Sequence, residues 1–244
     1  MFKIKRRTIL ISMGMVIILL SSLQKSMPVS SDITSKKLTK HIIIDAGHGF
    51  PDGGAVGISG TIESTINIKI AKKTAEILTK AGYTVTLTRK NENALTDEGQ
   101  TLSQKKKNDM YKRLDMINKS DSDIFISIHM NKFTDSRNRG AQVLYSPKFP
   151  EAALLANKIQ KELCEIPENI KKRTALKGSD RIFLLSNSNI PAVIVECGFL
   201  SNYEEEKRLN SEKYQAKLAA AIADGVKSYY KSLKNQSLTY RSPM

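Results

Sequence analysis

Apolar positions along this chain fall into two alternating rhythms. "HIIIDA" places three isoleucines in a row, Ile42 to Ile44, and predicts a buried strand over Ile42–Asp45. A glycine-rich loop follows as far as Gly60. From Ile62 the spacing lengthens. Ile62, Ile66, Ile70, Ile77 or Leu78, and Ala81 form a helical stripe that Gly82 stops. "YTVTLTR" alternates cleanly and predicts a second strand. A helix is expected over Ser103–Lys119, with Met110, Leu114 and Ile117 aligned. "DIFISIH" and "GAQVLYS" read as strands, and "PEAALLANKIQKELCEI" as an amphipathic helix. "RIFLLSN" and "PAVIVE" predict two further strands. Leu218, Ile222, Val226 and Tyr229 mark a last helix over Ser211–Leu233. Six strands alternating with helices predict a single α/β domain. Its central sheet is mostly parallel or mixed and is flanked by helices.

The first residues break this pattern. "MFKIKRR" is a basic cap, and an uninterrupted apolar run, Thr8 to Leu23, follows it. That order reads as a signal peptide or signal anchor over residues 1–27, which would carry the rest across the cytoplasmic membrane. "SMPVSS" is the nearest candidate for cleavage, and no cysteine follows the run, which excludes a lipoprotein signal. If uncleaved, the segment would hold the protein at the membrane. Residues 28–40 read as a polar linker, 41–234 as the folded domain and 235–244 as a short tail.

Charge narrows the partners. The formal net charge is +15, of which residues 1–40 supply +7 through eight Lys/Arg and one Asp. A basic domain suits an anionic surface such as a wall polymer, membrane lipid or nucleic acid. The export signal and the absence of a nucleic-acid motif argue against the last. "KKK" at Lys105–Lys107 reads as a solvated helix face. Two cysteines, Cys164 and Cys197, do not make a disulfide framework. Both read as small buried residues. Cys197 has no activating histidine near it in sequence.

Three predicted strands end in chemistry. "DAGHG" carries His48, "SIHMN" carries His129 and "VECGF" carries Glu196. In open α/β sheets the functional crevice lies beyond the carboxyl ends of the strands, so all three are candidates for one pocket. Glu63 opens the first helix and faces the same edge. Asn67 stands one turn on and could orient its carboxylate. Two histidines and a carboxylate leave a fourth zinc position open for water. If His48, Glu63 and His129 hold the ion, Glu196 is free to move the proton of amide hydrolysis. Each residue alone has an ordinary alternative. A strand-end histidine can be structural, Glu63 can serve the helix dipole, and Glu196 can pair with a lysine. The third histidine, His41, stands at the front of a strand and has no assigned role.

Taken in order, "DAGHGFPDGGAVG", Glu63, "SIHMN" and "PAVIVECGFLSN" resemble the zinc-dependent N-acetylmuramoyl-L-alanine amidases over roughly Ile42 to Val226. The resemblance implies His48, Glu63 and His129 as zinc ligands and Glu196 as the catalytic carboxylate. It implies cleavage of the amide between N-acetylmuramic acid and the first L-alanine of peptidoglycan. "DAGHG" departs from the commoner "DPGHG" at a residue that is not a ligand. The segment from His129 to Glu196 is too short for the inserted helix with which some members block their own site. Similarity around "SDRIFLLSNSNIPAVIVECGFLSN" points to the germination-specific, spore-cortex branch, whose action leads to muramic-δ-lactam. A zinc peptidase cutting within the stem peptide and a non-catalytic wall-binding protein are the competing expectations. The absence of a targeting module suggests an accessory protein that stabilises the metal-bound form.

Overall fold

A computed structural model describes residues 39–239. The leader over 1–27 and nearly all of the expected linker lie outside the described residues.

β1 (His41–Ala46) is followed by α1 (Glu63–Lys80), β2 (Thr84–Leu87), α2 (Leu102–Lys119), β3 (Ile124–Asn131) and β4 (Gln142–Tyr145). Then come α3 (Pro150–Cys164), β5 (Leu176–Lys177), α4 (Phe183–Asn187), β6 (Ala192–Phe199), α5 (Tyr203–Leu209) and α6 (Glu212–Thr239). The six strands form one sheet in the order β2-β1-β3-β6-β4-β5. β2, β1, β3 and β6 run parallel, while β4 is antiparallel to β6 and carries β5 alongside it. The expected mixed α/β sheet is therefore what forms.

The apolar runs are explained by burial on both faces. Ile42, Ile44, Ile126, Ile128, Val193 and Val195 pack against Ile66 and Ile70 of α1, Leu155 and Ile159 of α3, and Leu218 and Ile222 of α6. Ile43, Phe125 and Ile194 point the other way, to Ile117 of α2 and Leu184 and Leu185 of α4. Asp45 and Ser127, paired in the β1–β3 register, share this second face.

Three expectations change. "RIFLLSN" is not a strand. Its core is the short helix α4, in which Ser186 N and Ser188 N donate to Ile182 O and Leu184 O, each at 3.0 Å. A short apolar run fits either state, and β6 is already flanked by β3 and β4. The sixth strand is instead β5, two residues long and too short to show a period. The final helix continues past Leu233 to Thr239. On α2, Ile117 is buried as expected, but Met110 is exposed. The polar residues Asp109 and Arg113 are buried in its place.

Those two residues form a buried network with the end of β1. Arg113 Nη1 pairs with Asp45 Oδ1 and donates to Ala46 O at 2.9 Å. Arg113 Nε donates to Asp109 Oδ2 at 2.7 Å, and Nη2 to His48 O at 2.6 Å. Thr88 Oγ1 and Ser127 Oγ donate to the Asp45 carboxylate at 2.6 and 2.5 Å. Burial alone would push the Asp45 carboxyl up. Arg113, Ser127 and Thr88 outweigh it and hold the group below the usual carboxylate range. Breaking a buried pair strands a charge, so Arg113→Met should cost about 3–5 kcal/mol in urea unfolding. The exposed Lys80→Ala, which removes the pair with Glu76, should leave the unfolding midpoint close to wild type. A midpoint for Arg113→Met as close to wild type would show that the network is not holding the fold.

Candidate metal centre

β1 ends at Ala46, and its pairing with β3 is extended by Gly47 N donating to Ile128 O at 3.0 Å. Gly47 lies against the His129 ring. A Cβ there would sit 2.2 Å from both Cε1 and Nε2. His48 then takes a φ of 61°, the left-handed region that a side chain rarely occupies. Gly49 follows at φ 147°. The turn lifts the His48 ring over the end of the sheet, where Gly54, at φ 73°, makes room. A Cβ on Gly54 would meet Glu63 Oε2 at 2.5 Å and His48 Cδ2 at 2.7 Å.

Glu63 is the first residue of α1, His129 lies on β3 and Glu196 on β6. His129 and Glu196 are register partners on adjacent strands, so their side chains leave the same face. The structure brings His48, Glu63 and His129 together. One ligand atom from each lies within 4.8 Å of the others. His48 Nε2 is 3.4 Å from Glu63 Oε2, and His129 Nδ1 is 3.0 Å from Glu63 Oε1. The two imidazoles meet edge to face, with centroids 4.9 Å apart. This set is able to hold a metal ion.

The Glu63 carboxylate is fixed from the protein side. Oε2 accepts from Ala55 N at 2.8 Å, and Oε1 from Met130 N at 3.0 Å and Asn67 Nδ2 at 3.3 Å. Asn67 thus orients the carboxylate as its spacing implied, and its Nδ2 also donates to Gly47 O at 3.0 Å. Burial opposes the charge on Glu63, but the two histidines outweigh it and hold the group well below its ordinary value. Burial likewise opposes charging of His48. Bonds to Asp52 and Glu63 prevail and raise the imidazole to about 9. An ion taken up there has to displace that proton.

Glu196 differs from the other three. Its Oε2 is buried with no hydrogen-bond partner. Burial raises the carboxyl to about 7, with His129 pulling down and Glu63 pushing up. Among the described residues no lysine pairs with it, as a structural role would require. Cys197 beside it is buried, and burial and the neighbouring carboxylates push its thiol up, which rules out a ready thiolate. Cys164 is half-buried rather than core, and its Sγ donates to Arg173 O at 3.4 Å. His41 is tied to Asp121 and Thr86 at the opposite end of β1.

Two contributors to the site are not evident from sequence. Asp52 Oδ2 lies 2.7 Å from His48 Nδ1. Arg113 grips the His48 carbonyl from 65 residues away. The only cue to Asp52 is its place before two glycines in "GFPDGG", where a loop carboxylate can fold back on its own turn. Beside the ligand set lies a cleft of about 200 Å³, bounded by His48 and His129, by Lys106 and Met110 of α2, and by Leu184 of α4.

Comparisons with known proteins identify the family. Residues 42–228 match the family described as N-acetylmuramoyl-L-alanine amidase. The germination-specific N-acetylmuramoyl-L-alanine amidase of Bacillus subtilis (strain 168) is 35% identical over 192 residues, covering 78% of this chain and 80% of that protein. Among solved structures, the CwlD amidase from Clostridioides difficile, in complex with the GerS lipoprotein, is 38% identical with a TM-score of 0.76. That match covers 80% of this chain and 100% of the other. An N-acetylmuramoyl-L-alanine amidase from Clostridium difficile 630 is 29% identical with a TM-score of 0.69, covering 80% and 98%. The order of the motifs, the sheet that carries them and these matches lead to one conclusion: the chain belongs to the N-acetylmuramoyl-L-alanine amidase family.

Proposed function

We propose that this amidase uses a zinc ion held by His48, Glu63 and His129, with Glu196 as the catalytic carboxylate, to cut peptidoglycan between N-acetylmuramic acid and L-alanine. The observation that carries the reading is the convergence of three donor side chains, from the turn after β1, from α1 and from β3, beside a carboxylate whose buried Oε2 has no hydrogen-bond partner.

The donor set fits zinc. Two imidazoles and one carboxylate form a common open zinc site. Atoms each about 2.0 Å from a tetrahedral ion stand about 3.3 Å apart. Each Glu63 oxygen lies near that span from one histidine, at 3.4 Å for His48 and 3.0 Å for His129, and one donor atom of each residue lies within 4.8 Å of the others. When bound, the ion supplies Lewis acidity to the amide carbonyl and to the water that attacks it. The protein's own residues do the rest. Glu196, raised to about 7, is poised to accept the proton of the attacking water and deliver it to the departing amine of L-alanine. Its lack of a competing hydrogen bond leaves that oxygen free for the transfer. Glu63, pinned by Ala55, Met130 and Asn67, keeps its two oxygens aimed at the histidines.

The setting of the reaction is part of the proposal. The basic cap and apolar run of the leader support export, with action in the wall or spore envelope and membrane attachment if the leader stays on. Residues 41–234 would be the catalytic domain. Similarity to the germination-specific amidase of Bacillus subtilis supports a role in spore-cortex maturation. The Clostridioides difficile neighbour is in complex with a lipoprotein, which supports an accessory protein here as well.

Four outcomes test this reading. Incubation of the purified protein and zinc with peptidoglycan, read by mass spectrometry against a chelated control, should release stem peptides beginning with L-alanine. Cuts inside the peptide would move the function to a peptidase. Replacing Glu196 by Gln should lower turnover by at least about 100-fold while zinc content stays at the wild-type level. His129→Ala should instead lose most of the zinc, because one of three protein ligands is gone. Full occupancy in that variant would remove His129 from the ligand set. Finally, adding an extract of sporulating cells should raise the activity of the purified protein. Equal rates with and without it would argue against an accessory factor.

A further inference from the structure

The cleft beside the ligand set has a wall that the proposed reaction does not use. Asp52 sits on the loop between β1 and α1, and each of its oxygens has a separate task. Oδ2 lies 2.7 Å from His48 Nδ1. Oδ1 lies 2.8 Å from Lys106 Nζ and accepts from Gly54 N at 3.1 Å. Lys106 is on α2, one turn before Asp109 and two turns before Arg113. Arg113 Nη2 donates to His48 O at 2.6 Å. One helix therefore grips the His48 loop at two points. Arg113 holds its backbone, and Lys106 reaches the imidazole through Asp52.

The local turn does not need a carboxylate at this position. Backbone bonds between Gly49 and Asp52, at 2.8 and 2.9 Å, already close it. An asparagine oxygen could still accept from Gly54 N. A carboxylate adds a full negative charge at His48 Nδ1, the nitrogen turned away from Glu63. It fixes the ring's rotation and the tautomer with hydrogen on Nδ1, which leaves the Nε2 lone pair for an ion. Lys106 adds aim. With a side chain 45% exposed against 16% for Asp52, it closes the open side of the carboxylate and prevents it from swinging into water.

We propose that Asp52, held in place by Lys106, is a positioning residue that sets the affinity of His48 for the metal ion. The proposal rests on the zinc reading above and deepens it. It makes α2 part of the metal centre although the helix supplies no ligand. Lys106 stands in the lysine run Lys105–Lys107 that reads from sequence as a solvated face. Its partner on the loop gives it a different role from its neighbours.

Zinc affinity of the purified full-length protein, measured by competition with a chromophoric chelator, tests this directly. Asp52→Ala should weaken binding about 10- to 100-fold, the usual effect of losing a carboxylate behind a ligating histidine. Asp52→Asn should recover part of that loss, because its amide oxygen still accepts from Nδ1–H. Lys106→Met should weaken binding about two- to fivefold, the scale of a partly exposed ion pair, and Lys106→Arg should restore it. A role confined to holding the loop would lower the melting temperature of these variants and leave the zinc dissociation constant unchanged. Wild-type affinity in a folded Asp52→Ala would overturn the proposal. If that variant does not fold, wild-type affinity in Lys106→Met overturns it instead, since this half-exposed position tolerates change. Failure of the zinc reading itself looks different, because the wild-type protein would then bind no zinc.

Discussion

The carboxylate of Asp45 is the constraint on which the rest of this site depends. It ends a strand of three isoleucines, inside a sheet covered on both faces, where an unpaired charge is not tolerated. Arg113, Thr88 and Ser127 resolve this from three different elements. In doing so they tie the C-terminal edges of β1 and β3 to α2 and to the residue that follows β2. That edge carries His129 and leads into the turn of His48. A guanidinium has more donors than one carboxylate needs, and Arg113 spends the surplus on Asp109, Ala46 O and His48 O. The pairing of the buried Asp45 charge and the placement of His48 thus have the same physical cause.

From that anchored edge, the sheet supplies the rest of the geometry. Parallel register puts His129 beside Glu196, and the pleat turns both to the face shared with Asp45 and Ser127. The register then shifts between His129 and Asn131, so pairing changes phase just past the site. His48 cannot reach this cluster as part of a strand. It comes by a turn in which His48 itself takes the left-handed conformation, between one glycine that packs on the His129 ring and another with positive φ. The glycines of "DAGHG" therefore serve different needs. Gly47 allows close approach, and Gly49 provides the turn.

Most of this can be read from sequence where a period or a motif exists. Continuous apolar runs mark the buried strands, and three of them end in the residues that meet. Asn67 follows from helical spacing alone. What could not be read depends on contacts with no local signature. Arg113 and Asp45 are 68 residues apart, and the apolar stripe of α2 gives no hint that its buried residues include an ion pair. Asp52 acts across a loop, where a spacing of four carries no meaning. β5 has two residues and shows no alternation. The run in "RIFLLSN" is apolar enough for a strand but is folded as a helical turn, because its leucines cover the face of a sheet whose neighbouring positions are filled. Each failure marks a place where tertiary pairing, not local pattern, decides.

The unfavourable features of the structure are concentrated rather than scattered. A side chain at φ 61° and a buried carboxylate oxygen without a partner both lie on one edge. Each lowers stability if judged by folding alone. A protein selected only for a stable sheet would place an alanine or a valine where Glu196 stands. Such features persist where the surrounding structure determines them, and here two independent devices do so. The Asp45–Arg113 network fixes the backbone beneath His48. The backbone donors of Ala55 and Met130 fix Glu63. The rigidity lies in the supports, and the frustration lies in the groups they present. An ion held by His48, Glu63 and His129 would draw on the arrangement that these supports maintain, with Glu196 beside it.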